Sequence, residues 1–200
     1  MIKIYLVRHG ETDWNLEDRI QGQIQVSLNN LGVQQANAAA RFLEGISFEA
    51  IYTSNLKRAI ETAQIISKGK KDVKQCSDFN ERNFGDWQTK LWKEVYIEIP
   101  NIKDVWSNEG LRFSPPNGET LGDMYERVIR QFEEIMRNHF NDCSILIVGH
   151  GGPIKAILSY ASRLPPQDMH TIPKLNNGSI SIINYSSDYN IDKINYLPEY

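Results

Sequence analysis

Apolar positions along the chain fall into short runs that switch between two spacings. Residues 2–7, IKIYLV, are β-branched and aromatic and predict a strand. In residues 30–45, NLGVQQANAAARFLEG, Leu31, Val33, Ala36, Ala40 and Leu43 recur near helical spacing, and Gly45 stands where such a helix ends. FEAIYTS, 48–54, predicts a second strand, NLKRAIETAQIIS, 55–67, a second helix, and VKQC, 73–76, a short third strand. The segment 77–88, SDFNERNFGDWQ, is irregular, broken by Asn, Gly and Asp. Residues 90–99 predict a helix that stops before Pro100, and 108–119 a loop.

The strongest amphipathic pattern runs from Thr120 to Phe140. Leu121, Met124, Val128, Phe132, Ile135 and Met136 share one face, and Thr120 is suited to cap the helix. SILIVG, 144–149, is nearly all apolar, as a strand covered on both faces must be. PIKAILSYAS, 153–162, predicts the next helix, with Pro153 in its first turn. SISIINY, 179–185, and NIDKINY, 190–196, predict two closing strands around an SSDY turn. Alternating strands and helices imply an α/β three-layer sandwich: a mainly parallel central sheet of about six strands with helices on both faces. No linker or low-complexity stretch divides the chain, so residues 1–200 are expected to form one domain.

Composition narrows the function. A net charge of −3 and a pI of about 5.8 give no reason to expect a nucleic-acid partner. Cys76 and Cys143 form no CxxC pair and no disulfide framework, which suits free thiols in the cytoplasm. The run Ile4–Val7 is too short for the core of a signal peptide and meets Arg8 at once. No stretch approaches the ~18 apolar residues of a membrane span. A soluble, cytoplasmic protein without a membrane partner is expected, as a monomer or homodimer.

Two of the apolar runs end in His-Gly: YLVRHGETDWN, 5–15, and ILIVGHGGPIK, 145–155. Functional groups of an open α/β sheet gather beyond the carboxyl ends of its strands. If the two strands are parallel neighbours, His9 and His150 project from one edge. Gly10 and Gly151 then let a ligand or another backbone come close. Arg8 adds a cation there. Arg58, in the first turn of the second helix, is either a solvated helix residue or a second cation aimed at an anion.

Six segments in order carry a family resemblance. LVRHGETDWN resembles the signature of the histidine phosphatase (phosphoglycerate mutase-like) superfamily. NLGVQQA is similar to its T-x-x-G-x-x-Q-A helix, LKRAIETA to its L-x-R-A-x-x-T-A helix, and FNERNFGDWQ to its acid-bearing segment. PPNGET resembles its P-x-G-E-S/T loop, and VGHGG its second histidine.

The resemblance implies that His9 is a nucleophile forming a phosphohistidine, its other ring nitrogen tied to a backbone carbonyl beside the motif. Arg8, Arg58 and His150 would surround the transferring oxygens, with Asn15 and the Gly151 N–H as further phosphate contacts. Glu81 would be the general acid, which needs burial or a nearby carboxylate to raise its pKa. Gln21, Gly22 and Trp92 would contact substrate. The resemblance implies neither metal nor cofactor. Neither cysteine has a partner at zinc-ligand spacing, and His139 and His170 match no motif, which makes them surface or structural residues. Trp14, Trp87 and Trp106 are expected in the core.

The superfamily contains mutases and phosphatases. Mutases carry adjacent arginines before the P-x-G-E loop, where this chain has only Arg112, and a lysine where it has Trp92. They also have an extended tail beyond the last strand, where this chain reads NYLPEY. The FGDWQTKLW run looks more like the short bacterial phosphatases, α-ribazole phosphatase and broad-specificity phosphomonoesterases among them. The expected activity is metal-independent hydrolysis of a small-molecule phosphate ester. The alternatives are a cofactor-dependent phosphoglycerate mutase and a catalytically silent phosphate-binding module. One departure remains: the usual W-E-G after the acid segment reads Trp87-Gln88-Thr89.

Overall fold

The computed structural model describes residues 1–140 and 142–200. In chain order the elements are β1 (Ile2–Arg8), α1 (Asp13–Leu16), α2 (Asn30–Phe42), β2 (Phe48–Thr53), α3 (Lys57–Ser67) and β3 (Val73–Gln75). There follow α4 (Trp92–Glu98), α5 (Ile102–Glu109), α6 (Leu121–Arg137), β4 (Cys143–Gly149), α7 (Gly151–Ala161), β5 (Ile180–Tyr185) and β6 (Tyr189–Tyr196). The strands form one sheet in the order β3-β2-β4-β1-β5-β6. The first four are parallel and the last two antiparallel, so the expected α/β fold with a mainly parallel six-stranded sheet is the one observed. Among the described residues, no helix is long and apolar enough to cross a membrane.

Strand alternation divides the core into two layers. Ile4, Leu6, Ile145 and Ile147 face α6 and α7, packing on Met124, Val128, Phe132, Ile154 and Ile157. Tyr5, Val7, Leu146 and Val148 face α2 and α3, packing on Ala39, Ala40, Ala59, Ala63 and Ile66. The small residues of the second layer bring α2 and α3 close to the sheet, which matters for the loops they carry. Thr120 caps α6 as expected, its Oγ1 accepting from the Asp123 N–H at 2.9 Å.

Helix boundaries were the weak part of the sequence pattern. α2 and α6 stop at Phe42 and Arg137, short of the expected 45 and 140. α5 was not anticipated. Its eight residues have a narrow apolar face, and Ile102, Val105 and Trp106 hold it only because a third cluster lies beside them. That cluster gathers Ile20, Trp87, Val95, Ile102 and Phe113, with Phe84, Trp92 and Trp106 packed against it. It roofs the carboxyl end of the sheet with segment 77–119. Trp87 is core as expected and Trp106 joins it, whereas Trp14 is only half-buried and lies under the Arg19 guanidinium at 5.7 Å.

The Trp87-Gln88-Thr89 departure sits at the edge of this roof. Thr89 has φ +78°, a conformation that a β-branched residue rarely adopts. Its backbone is held there: its N–H donates to the Ile20 carbonyl at 2.9 Å, and its own carbonyl accepts from Arg19 Nη1 at 2.7 Å. The side chain is exposed, so removing it opens no cavity. Thr89→Gly relieves about 1–2 kcal/mol of left-handed strain and gives back about 0.4–1 kcal/mol through a more flexible unfolded chain. The net expectation is a gain of about 1 kcal/mol, or roughly 2–4 °C in Tm for a chain of this size. A lower Tm for Thr89→Gly would show that the turn is unstrained.

Candidate active site

The site starts from one strand pairing. β1 and β4 run parallel with Val7 opposite Val148 and Arg8 opposite Gly149. The next residue on each is a histidine, and the His9 and His150 rings lie 5.1 Å apart. The His9 N–H donates to the Gly149 carbonyl at 3.0 Å, continuing the ladder to the catalytic edge.

The His9 tautomer follows from its neighbours. Nδ1 is 2.7 Å from the Gly10 carbonyl, which can only accept, so Nδ1 carries the proton and Nε2 keeps its lone pair. The tie to a backbone carbonyl implied by the family resemblance is therefore present. Arg58 Nε donates to Nε2 at 3.3 Å. Burial first, then the Arg58 and Arg8 cations, hold His9 well below the ordinary histidine range, against the Gly10 carbonyl. The imidazole is neutral and its free nitrogen is a nucleophile.

Arg58 is not a solvated helix residue. It is 1 % exposed, and burial pulls its pKa down to about 10 despite the Glu81 carboxylate. Its Nη1 and Nη2 donate to the carbonyls of Ile24 at 2.9 Å and Gly22 at 2.8 Å, fastening that loop to the nucleophile. Gly22 has φ +49°, and a Cβ there would fall 2.1 Å from Gln88 Oε1. Gln88 Oε1, where the family pattern has a glutamate, accepts from the Gln23 N–H at 2.7 Å. Gln21 is buried beside it, with Oε1 unpartnered among the described residues.

His150 precedes the first residue of α7 and is fully buried. Its Nε2 is 2.6 Å from Ser54 Oγ, which also accepts from the Leu56 N–H at 3.2 Å. The hydroxyl keeps a second lone pair and its own proton, so it bonds Nε2 in either tautomer, and Nδ1 has no partner among the described residues. Arg8 Nε is likewise buried and unpartnered, while Arg8 Nη1 donates to the Leu175 carbonyl. Burial, followed by the Arg58, His9, Arg8 and Arg127 charges, depresses His150 well below its ordinary range.

Glu81 faces this positive group. Its Oε1 accepts from the Arg82 N–H at 2.9 Å and its Oε2 from the Gly152 N–H at 3.3 Å, at the first turn of α7. A Cβ on Gly152 would lie 2.5 Å from Oε1, so glycine is needed for this approach. Arg127 holds the acid segment in place. It donates to the carbonyls of Asp78, Asn80 and Glu81, and it grips Glu119 through Nε at 3.0 Å and Nη2 at 2.6 Å.

Asn15 Oδ1 accepts from the Thr12 N–H, the Thr12 hydroxyl and Asn177 Nδ2, at 3.1, 3.0 and 3.2 Å, which fixes the amide with Nδ2 as its donor. Gly151 begins α7, and a Cβ there would be 3.9 Å from both Arg8 Nε and Glu81 Oε2. The structure thus gathers His9, Arg8, Arg58, Glu81, His150, Asn15, Gln21, Gly22 and Gly151 around one edge of the sheet. Trp92 is placed differently. It is drawn into aromatic packing with Phe84, Trp87, Tyr96 and Trp106, which leaves only part of its surface for a substrate. Ser54, Asn177 and Arg127 escaped the sequence reading. Among the described residues, the one group of ligand-type atoms close enough for a metal lies elsewhere, at Glu49, His139 and Cys143.

A family model for the histidine phosphatase superfamily (branch 1) matches residues 4–195. The chain belongs to that superfamily. It is 35 % identical over 185 residues to the metal-independent phosphoserine phosphatase of Arabidopsis thaliana, covering 90 % of this chain and 75 % of that one. It is 30 % identical over 202 residues to a 2,3-bisphosphoglycerate-dependent phosphoglycerate mutase of Cytophaga hutchinsonii, covering 98 % and 94 %. A mycobacterial glucosyl-3-phosphoglycerate phosphatase solved with VO3 superposes with a TM-score of 0.88 at 27 % identity, over 96 % of this chain and 98 % of that one. The reading of the chain as a phosphatase of this superfamily stands.

Two predictions follow from the site's electrostatics. The folded pKa values of His9 and His150 are depressed, so below about pH 6.5 the unfolded chain binds more protons and stability falls with pH. Each buried imidazole contributes up to about 1.4 kcal/mol per pH unit. Urea unfolding between pH 7.5 and 5.5 should show a shallower loss for His150→Asn than for wild type; parallel curves would refute the depressed pKa. Ser54→Ala removes the partner of His150 Nε2 and loosens the ring. It should lower kcat by about tenfold through lost positioning, with KM and the fold little changed, as read by steady-state kinetics and circular dichroism.

Proposed function

We propose that the chain is a single-domain, cytoplasmic, metal-independent phosphomonoesterase acting on a small-molecule phosphate ester. The reading rests on one observation: the unprotonated Nε2 of His9 shares a buried site with two unpartnered nitrogens, Arg8 Nε and His150 Nδ1. A neutral nucleophile beside a guanidinium donor awaiting an acceptor suits a phosphoryl group, whose transfer depends on positioning and charge stabilisation.

In the first step His9 Nε2 attacks phosphorus, and the P–O bond to the leaving alcohol breaks. Arg8, Arg58 and His150 hold the equatorial oxygens, with the Asn15 amide and the Gly151 N–H as further donors. Glu81, protonated, gives its proton to the leaving alkoxide. The product is an N-phosphorylated His9 with the ring cationic, its Nδ1 proton shared with the Gly10 carbonyl. In the second step Glu81, now a carboxylate, takes a proton from water as that water attacks phosphorus. The P–N bond breaks, phosphate leaves, and His9 returns to its neutral tautomer. Gln21 and Gly22 shape the wall beside the phosphoryl group, and the exposed part of Trp92 meets the leaving group.

Water is the acceptor in this reading. It is favoured over transfer to a phosphoglycerate because the segment before the P-x-G-E loop offers only Arg112, and Trp92 stands in place of a carboxylate-binding lysine. Phosphate release from p-nitrophenyl phosphate should persist in excess EDTA and fall by at least about 10³-fold in His9→Ala. Glu81→Gln should lower kcat/KM for an alkyl phosphate more than for p-nitrophenyl phosphate, whose leaving group needs no proton. Loss of activity in EDTA, or turnover by His9→Ala, would sink the mechanism. A wild type that exchanges phosphoryl groups only between phosphoglycerates is a mutase.

A further inference from the structure

At the opposite end of the sheet, where the parallel strands begin, three different ligand types converge. A carboxylate oxygen of Glu49, Nδ1 of His139 and Sγ of Cys143 lie within 4.8 Å of one another. β4 rises about 3.3 Å per residue between Cys143 and His150, so this group is roughly 20 Å from the catalytic edge. The sequence reading gave Cys143 no ligand partner and His139 a surface or structural place. Folding instead buries His139, four residues before Cys143, and brings Glu49 across from β2.

The backbone is bent to make this happen. Along β2, Ala50 and Tyr52 pack on the α6–α7 side of the sheet and Ile51 on the other. Strict alternation would send Glu49 to the side of Ile51, away from Cys143 and His139. A β-bulge intervenes: Phe48 pairs with Ser144 and Ala50 with Ile145, leaving Glu49 as the extra residue. Phe48 consequently packs with the Ile51 layer, against Tyr5, and Glu49 turns toward His139 Nδ1. Bulges are rare between parallel strands, and their usual use is to re-aim a side chain.

The histidine is oriented as a ligand needs to be. Its Nε2 is 3.1 Å from the Tyr52 hydroxyl, the kind of outer contact that fixes a metal-bound imidazole. We propose that Glu49, His139 and Cys143 form a three-residue binding site for a thiophilic divalent cation, Zn²⁺ in class, with an open fourth position. Thiolate, imidazole and carboxylate are the ligand set that Zn²⁺ accepts in tetrahedral geometry. The ion takes the place of the proton between His139 Nδ1 and Glu49, Nε2–H then donates to Tyr52, and the Cys143 thiol releases its proton. Without a cation, burial and the Glu49 carboxylate push that thiol's pKa up, as expected of a neutral resting state. Glu49 is exposed, which gives the ion a path in. Bound there, it clips β2 and β4 to the chain leaving α6.

The site is separate from the phosphoryl chemistry, and its test does not depend on turnover. The full chain, stripped with EDTA and dialysed, is titrated with Co²⁺ and with Zn²⁺. One equivalent of Co²⁺ should produce a thiolate-to-cobalt charge-transfer band in the near ultraviolet and tetrahedral bands in the visible. Saturating Zn²⁺ should raise Tm by roughly 5 °C. Cys143→Ser should abolish the charge-transfer band, and Glu49→Gln should weaken Zn²⁺ binding at least tenfold. Both variants should keep wild-type phosphate release in EDTA, and Cys76→Ser should keep the band. Absence of the band and of the Tm shift overturns the proposal. So does a band that survives Cys143→Ser or is lost in Cys76→Ser.

Discussion

Everything at the catalytic edge depends on the parallel pairing of β1 with β4. A strand pair fixes register to the residue, because a slip by one would turn each inward side chain to the other face. Here the fixed register sets Arg8 beside Gly149 and delivers two histidines, far apart in sequence, to ring contact. The pairing is buried on both faces by two separate hydrophobic layers, so the histidines stand at the end of a strand pair packed on both sides. Loops then come to them. The 22–24 segment is fastened by Arg58, and the acid segment by Arg127 and by Gln23 Nε2, which donates to the Glu81 carbonyl at 3.1 Å.

Such a site works against folding. Arg8, Arg58, His9 and His150 are packed together with Glu81 as the facing carboxylate, and burial is the first cause of the lowered pKa in all four. The chain limits the damage by giving the cations backbone carbonyls to hold: Leu175 for Arg8, Gly22 and Ile24 for Arg58. Carbonyls neutralise no charge, so the pocket stays positive and the Arg8 Nε donor remains without an acceptor. In the proposed reaction a dianionic phosphoryl group supplies what is missing. The same deficit that costs stability in the empty site becomes binding and transition-state stabilisation when the phosphoryl group arrives.

How much of this could be read from the sequence depends on the range of the signal. His9, Arg8, Arg58, Glu81 and His150 sit in short motifs, each beside a strand or helix whose period is plain, so the family resemblance implied their gathering at one edge before any fold was known. Residues that act through one atom at long range were not legible. Ser54 meets the His150 ring across 96 positions of chain and Asn177 reaches Asn15 across 162, yet serine and asparagine in loops look like any other turn residues. α5 was missed because its three anchors, Ile102, Val105 and Trp106, find their partners only in tertiary contact. Thr89 was the informative case: the departure from W-E-G was visible, but its consequence, a threonine at φ +78°, needed the backbone.

The two halves of that departure have opposite physical meanings. Gln88 keeps an oxygen where a carboxylate is usual, and the Gln23 N–H finds its acceptor unchanged. Thr89 keeps nothing that glycine offered: it holds the same left-handed turn against its own side chain, because hydrogen bonds to Ile20 and Arg19 pin the backbone on both sides. The turn is therefore held at the cost of local strain in Thr89, whereas Gln88 meets its hydrogen-bonding partner without a charge.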